Sequence, residues 1–451
     1  MNYAQAISFL NSLGNEITTA KLGLGNMRTL LNFLGHPQKK FPAVLIAGTN
    51  GKGSVAAFTE SIMREAGYRT GLYTSPHLIK VEERIRVYGE QITQNDFARL
   101  TKKVRQAIEA LLFNTTNETN KLKLQRHPTH FEILTAIALL YFAERQVEIA
   151  VVEVGLGGRL DATNIIDPVI AVITSISLDH QAYLGQDLES ITREKIGIIK
   201  RMLPNQYSYS SYLPVVCSST NKTVIKLVKQ QCKKNQAQFI SAFQDLNFKI
   251  LNNTLEKTLL GVEPVLGEKF KLKIPLPGPH QVKNVLAAIQ IIEILNNIGF
   301  KVSASALEKG VSQTSWPGRL EIKQTSPQII MDGAHNTQAA KSVRYHIANF
   351  LSSEKVILIY GSLRDKDITG IMSNLAGLAR EVILTQPKSE RSATPQEILE
   401  KYSDFKVPVH LTKNVEAAWL LAHSKAKIDD TILVLGSLYL IGEIKQHLSN
   451  T

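Results

Sequence analysis

Short apolar runs alternate along the chain with longer stretches whose apolar residues return every three or four positions. The runs are AVLIAG (43–48), EIAVVEVG (148–155), VIAVITSIS (169–177), QIIMDG (328–333), VILIYGS (356–362), EVILTQ (381–386) and TILVLGS (431–437). Their brevity and β-rich content predict strands, and the stretches between several of them have the spacing of amphipathic helices. The runs show no inside/outside alternation, so both faces must be covered, as in parallel sheets packed under helices. Glycines and polar residues gather just after the runs, where open parallel sheets bind ligands beyond the carboxyl ends of their strands. The opening MNYAQAISFLNSL sets Tyr3, Ile7 and Leu10 at helical spacing. The stretch from Lys200 to Gln238 is polar, and its tract NQYSYSSYLP (205–214) reads as an exposed loop or insertion.

At 451 residues the chain exceeds what one hydrophobic core usually serves. Two α/β units follow, a larger one over 1–314 and a smaller one over 315–451, divided at TSWPGRLE where Pro317 and Gly318 punctuate the sequence. Cys217 and Cys232 are the only cysteines, too few for a disulfide framework, and read as free thiols of a reducing compartment. No run is long enough to span a membrane, so a cytoplasmic protein without membrane contact is expected. The net charge of +13 favours anionic partners. The basic residues are scattered and RNA-binding aromatic signatures are missing, which favours nucleotides or polycarboxylates over nucleic acid.

AGTNGKGS (47–54) follows the first run and leads into VAAFTESIMREAG. A strand, a glycine turn and a helix opening near Ser54 make an anion site: the glycines let backbone amides approach phosphate oxygens, and Lys52 reaches the outer phosphates. The spacing is not that of the standard P-loop, because Ile46 stands where its first glycine would be and Gly53 separates Lys52 from Ser54. Downstream, EVGLGGRLDATN (153–164) puts Glu153 at a strand end, followed by glycines, Arg159 and Asp161, and a carboxylate there suits magnesium. In SLDHQAY, Asp179 is by chemistry alone a better magnesium ligand than His180.

GTNGKGS is similar to the nucleotide loop of the Mur ligase superfamily, in the form found in folylpolyglutamate and dihydrofolate synthases. LYTSPHLIKVEERIRV (72–87), EVGLGGRLDATN, ITSISLDHQAYLGQDLESITREKIGIIK (173–200), PGPHQVKNVLAA (277–288), WPGRLE and MDGAHN follow in family order. The match runs from LGLGNMRTLLNFLGHPQ near the start to the last strand. It departs in the SISLDH form and in the tract from about 202 to 238. The resemblance implies a P-loop-type parallel-sheet domain followed by a smaller Rossmann-like α/β domain. It implies ATP at Gly51, Lys52, Gly53, Ser54, Asn284, Arg319 and Asp332, with His335 nearby. Ser75, Glu153 and His180 become magnesium ligands, and Leu160, Asp161 and Ala162 lie beside a pterin. Lys195 matches a lysine that carries carbon dioxide as a carbamate and assists a second magnesium. Lys52, Lys195 and Arg319 form the catalytic set. GSLRDKD (361–367) and GSLYLIGE (436–443) resemble family landmarks without a catalytic role.

The activity implied is ATP-dependent joining of L-glutamate to a carboxyl group through an acyl phosphate. The acceptors are dihydropteroate and the glutamate tail of reduced folates, both served by one monomeric enzyme. A monovalent cation such as potassium is compatible with the family and leaves no signature in the residues. Alternatives at this stage are one of the two activities alone, another Mur-type ligase acting on a cell-wall precursor, and a non-ligase ATPase or nucleic-acid binder.

Overall fold

A computed structural model describes residues 1–14, 23–113, 123–202, 211–243, 246–264, 269–323 and 326–450. The chain opens with α1 (Tyr3–Asn11) and α2 (Gly25–Phe33). It then runs β1 (Ala43–Ala47), α3 (Lys52–Glu65), β2 (Thr70–Tyr73), β3 (Ile85–Val87), β4 (Glu90–Gln91), α4 (Gln94–Phe113), α5 (His130–Glu144) and β5 (Ile149–Glu153). There follow β6 (Ile170–Ile173), α6 (Gln181–Leu184), α7 (Leu188–Lys195), β7 (Pro214–Cys217), α8 (Lys222–Asn235) and β8 (Gln238–Ser241). These strands form one eight-stranded sheet in the order β4-β3-β2-β5-β1-β6-β7-β8, parallel except at the β2–β3–β4 edge.

All five residues of β1 are buried, which is why its sequence shows no alternation. Ala43, Leu45 and Ala47 face a core built with α1, α2, α4, α5, α7 and α8, whereas Val44 and Ile46 face α3 and the elements that follow β8. At about 1.5–3 kcal/mol for each large apolar side chain removed from water, such double burial clamps helical layers to both faces. Helix α4 contributes Phe97, Leu100, Val104, Ile108 and Leu111, the stripe its helical spacing predicts.

A small antiparallel sheet comes next, β9 (Leu246–Asn253), β10 (Thr258–Pro264) and β11 (Phe270–Ile274), followed by α9 (Pro279–Asn297) and α10 (Ala304–Gln313). The remaining elements are β12 (Glu321–Lys323), β13 (Gln328–Asp332), α11 (Thr337–Phe350), β14 (Val356–Tyr360), α12 (Ile368–Leu375), β15 (Glu381–Leu384), α13 (Pro395–Lys401), β16 (Val409–Leu411), α14 (Val415–Lys425), β17 (Thr431–Leu435) and α15 (Leu438–Asn450). They make a second sheet, β12-β13-β17-β14-β15-β16, parallel apart from β12 and covered on both faces. The α/β class with two parallel-sheet units is therefore as the apolar runs predict. Among the described residues no helix is long and apolar enough to cross a membrane.

Most of the tract NQYSYSSYLP lies outside the described residues; Ser211 and Tyr212 are exposed, whereas the end of the tract, Leu213 and Pro214, is buried and leads into β7, an internal strand covered by α8. The apolar run LPVVC is only five residues long between polar stretches, so its periodicity carries too little signal.

Helix α3, which follows the glycine turn, is braced by α10 at Gly310. A Cβ on Gly310 would lie 2.4 Å from the Ile62 Cα, and the Gly310 carbonyl accepts hydrogen bonds from Ser61 Oγ and Thr314 Oγ1, each at 2.7 Å. Alanine would gain up to about 1 kcal/mol in helix propensity, but the clash is with backbone that cannot turn aside. Gly310→Ala should therefore lower unfolding free energy by about 1–3 kcal/mol, read in a denaturant titration; equal or greater stability would show that the two helices part without cost.

Candidate functional site

Beyond the end of β1 the chain has little room. Gly48 has φ +153° and faces Thr174, whose Oγ1 would lie 1.8 Å from any Cβ, and Gly51 has φ +89° with Asn284 Oδ1 only 2.5 Å from where a Cβ would stand. Both positions require glycine. Gly51 caps α3 with no side-chain hydrogen bond, so the amides of Lys52, Gly53 and Ser54 at the helix start have no side-chain cap there, the arrangement that binds an oxyanion. Behind the turn, Asn284 Nδ2 donates to Gln281 Oε1 at 2.8 Å, and Gln281 Nε2 donates to Ser54 Oγ at 3.3 Å. A Cβ on Gly53 would meet the Trp316 indole nitrogen at 2.9 Å.

Lys52 Nζ donates to the Thr49 carbonyl at 3.3 Å and lies 3.8 Å from Glu153 Oε1. Glu153, at the end of β5, accepts the Ser75 N–H at 3.1 Å on its other oxygen. Burial raises the Glu153 pKa, opposed by Lys52, the Ser75 amide and Arg319. A dehydrated carboxylate of this kind has a standing demand for positive charge. His180 stands on the loop after β6 with φ 52°. Burial pulls its pKa down to about 3 against the pull of Asp179, so the imidazole is neutral, and its buried Nδ1 has no hydrogen-bond partner among the described residues. Among the described residues no three His, Cys, Asp or Glu side chains gather as a metal cage. One carboxylate, a serine hydroxyl and a neutral imidazole with a free lone pair fit a divalent ion that keeps waters and takes phosphate oxygens for its remaining positions.

Lys195, at the end of α7, is fully enclosed. Its Nζ donates to the Gly48 carbonyl at 2.8 Å. Burial first, then the neighbouring Lys52 ammonium, lowers its pKa to about 7, with Asp179 and Asp161 opposing. Its place depends on glycines: a Cβ on Gly158 would lie 2.6 Å from the Lys195 carbonyl, and one on Gly197 would lie 2.3 Å from Arg159 Cβ. The loop after β5 thus lies flush against the end of α7. Within that loop Asp161 Oδ1 accepts the Thr163 N–H at 3.0 Å and the Thr163 hydroxyl at 2.5 Å, and Oδ2 accepts the Leu156 N–H at 2.9 Å. The Asp161 carboxylate therefore shapes the loop that presents Leu160 and Ala162.

The second sheet supplies Arg319, from the segment before β12, and Asp332, at the end of β13. Asp332 is buried, and its oxygens accept the Leu320 and Ala334 N–H groups, each at 2.8 Å. Burial raises its pKa, opposed chiefly by Arg319. Its geometry is that of a carboxylate holding the Arg319 and His335 segments together. His335 Nδ1 bonds to the Gly333 carbonyl at 2.8 Å, and its Nε2 lies 3.5 Å from Asp179 Oδ2.

One cavity of about 640 Å³ between the two sheets is lined by the whole predicted set: Gly51, Lys52, Gly53 and Ser54; Ser75, Glu153 and His180; Leu160, Asp161 and Ala162; Lys195 and Asn284; Arg319 and Asp332. Sequence reasoning gave no role to other lining groups: Phe131 at the start of α5, Ser218 and Ser219 after β7, and Lys366 in GSLRDKD. Phe131 has no neighbouring chemistry to single it out, Ser218 and Ser219 follow the strand that was missed, and Lys366 gains meaning only beside Asp179, 187 residues away.

Comparison with known proteins bears on the family and the fold. The Mur ligase middle domain matches residues 46–292, and the Mur ligase glutamate ligase domain matches residues 318–438. The Bacillus subtilis dihydrofolate synthase/folylpolyglutamate synthase is 33% identical over 446 residues, covering 95% of each chain. The Escherichia coli protein of the same name is 32% identical, covering 98% of this chain and 94% of its own. The structure of E. coli FolC in complex with DHPP and ADP superposes with a TM-score of 0.83 at 30% identity, covering 100% of this chain and 98% of that one. A bifunctional folylpolyglutamate synthase/dihydrofolate synthase from Yersinia pestis, complexed with AMPPNP and Mn ion, gives a TM-score of 0.82 at 27% identity, covering 100% of this chain and 98% of that one. The chain belongs to the Mur ligase family, in its dihydrofolate synthase/folylpolyglutamate synthase branch.

Proposed function

We propose that this protein is an ATP-dependent ligase that joins L-glutamate to dihydropteroate and to the glutamate tail of reduced folates. The observation that carries the reading is one cavity in which an oxyanion turn, the Lys52–Glu153 pair and Arg319 of the second sheet all meet beside the Leu160–Ala162 loop. The names of the relatives and the nucleotides, manganese and DHPP in the neighbouring structures support it. We divide the chain functionally into an ATP- and pterin-binding part, 1–314, and a ligase part, 315–451, acting as a cytoplasmic monomer.

A carboxylate resists attack by an amine because oxide is a poor leaving group. An acceptor carboxylate oxygen attacks the γ-phosphorus of ATP and ADP departs, leaving an acyl phosphate. The glutamate nitrogen then attacks the acyl carbon, phosphate leaves and the nitrogen loses a proton. The amides at the α3 start hold the β- and γ-phosphates, and Lys52 and Arg319 offset the charge growing on the transferred group. Asn284 anchors the far side of the nucleotide turn. Enclosure between the sheets keeps water from the acyl phosphate. Ser75, Glu153 and His180 would hold magnesium, which would supply further positive charge at the phosphoryl oxygens.

Lys195 takes its part as a carbamate. Its lowered pKa leaves free amine near neutrality, and that lone pair adds to carbon dioxide with loss of a proton, turning a buried cation into an oxygen donor. The free-amine fraction grows as pH rises through about 7. With ¹³C-bicarbonate, a carbamate signal should therefore strengthen from about pH 6 to about pH 8 and vanish in Lys195→Ala; a wild-type spectrum without it discards the carbamate.

The primary test is product mass and phosphate release with ATP, magnesium and L-glutamate, offering dihydropteroate in one reaction and tetrahydrofolate in another. Product in both supports the bifunctional reading, product in one names the single activity, and product in neither refutes the acceptors. Lys52→Ala and Glu153→Ala should each lose roughly a hundredfold or more in turnover, the scale of one key electrostatic group, while melting as the parent does; near-normal rates would remove them from the site.

A further inference from the structure

Asp179 has no part in the chemistry of Lys52, Glu153 and Arg319, yet it is among the most heavily engaged carboxylates between the sheets. It stands on the loop after β6 of the first sheet. Its Oδ1 accepts from Lys366 Nζ at 2.6 Å, and its Oδ2 accepts from Asn336 Nδ2 at 3.3 Å with His335 Nε2 at 3.5 Å. These three groups come from the loops after β13 and β14 of the second sheet. The Asp179 and Lys366 side chains are each 5% exposed.

The same carboxylate also orders its own side of the cleft, because Oδ1 accepts the His180 N–H at 2.9 Å. Asn336 extends the contact to the phosphate turn, donating to Asn50 Oδ1 at 2.9 Å and accepting from Asn50 Nδ2 at 3.2 Å. We propose that Asp179 is a positioning residue, a carboxylate latch through which Lys366, His335 and Asn336 of the second sheet lock onto the His180 and Asn50 segments of the first. Closing the sheets and setting the phosphate site in register then become one event.

The physical case rests on burial. An exposed ion pair contributes little and tolerates loose geometry. A buried pair recovers its dehydration only when the geometry is good and the remaining lone pairs are satisfied. Part-way closure would strip water from Asp179 and Lys366 without joining them, so intermediate separations are disfavoured and the contact behaves as a two-position device. Mere adhesion would be served as well by apolar residues. An ion pair crossed by two asparagines also imposes register.

The test places a donor and an acceptor dye at the exposed positions Glu109 and Ile428 of the full chain and measures single-molecule transfer with a non-hydrolysable ATP analogue. Asp179→Asn and Lys366→Met should each shift the distribution toward longer separations. Turnover should fall by about a hundredfold, the cost of reacting groups held about an ångström out of place, with the KM for ATP within about threefold of the parent. The double variant should lose no more than the worse single one, because both remove the same contact. Parental separations in both variants, or losses that multiply in the double variant, would overturn the latch. Should Asp179→Asn fail to fold by circular dichroism, Lys366→Met decides alone, with a longer separation supporting the latch and a parental one refuting it. The turnover readout rests on the ligase reading; the dye separation does not, so a chain inactive toward both folate acceptors would refute that reading and leave the latch to be judged by distance.

Discussion

Charge taken out of water governs how this molecule is put together. Glu153, Asp179 and Asp332 are all buried where the two sheets face one another, together with Lys195 and Lys366. Each such ion costs several kcal/mol to dehydrate, so each must find partners, and each finds a different kind. Asp332 takes two backbone amides, Asp179 takes donors from the opposite sheet, and Glu153, among the described residues, has an amide, a lysine 3.8 Å away and the more distant pull of Arg319 and Arg84. Glu153 is thus the carboxylate with the most unmet demand, and it lies beside the turn where phosphates would sit. The proposed catalytic centre and the structural ties differ less in residue type than in how completely their charge is already answered.

That distinction also explains what could be read from the sequence. The strands β1, β5, β6, β13, β14, β15 and β17 were legible because they are buried on both faces, which leaves an unbroken apolar mark in the sequence. The glycine turn was legible because its positive φ angles and its contacts with Thr174 and Asn284 admit one residue type. Glu153 and Arg319 announced themselves through strand ends and family order. The strand β7 was not legible, since a short apolar run behind a polar tract looks the same in a loop as in the centre of a sheet. Asp161 and Asp332 were read as ligand contacts, and the structure finds their oxygens engaged by the backbone around them, because an aspartate that shapes a loop and one that faces a ligand share the same local sequence.

Asp179 is the most instructive case. Sequence chemistry singles it out beside His180 as the harder magnesium ligand. In the fold it is held by Lys366, whose burial pairs it far from its neighbours in the chain. Burial would raise the Asp179 carboxyl, but His335 and Lys366 overcome that and hold it well below the usual carboxylate range. Its anionic charge is thereby matched within the protein, which leaves Glu153 and the neutral His180 as the groups for the proposed metal site. Such a division of labour between adjacent residues depends on partners in another sheet and has no local signature.

The indole of Trp316 bears on Gly53 of the phosphate turn, and the connection between the two sheets begins at that residue. The segment joining the two sheets is therefore also a wall of the glycine turn, so a change in its path bears directly on the backbone at the start of α3 without passing through either core.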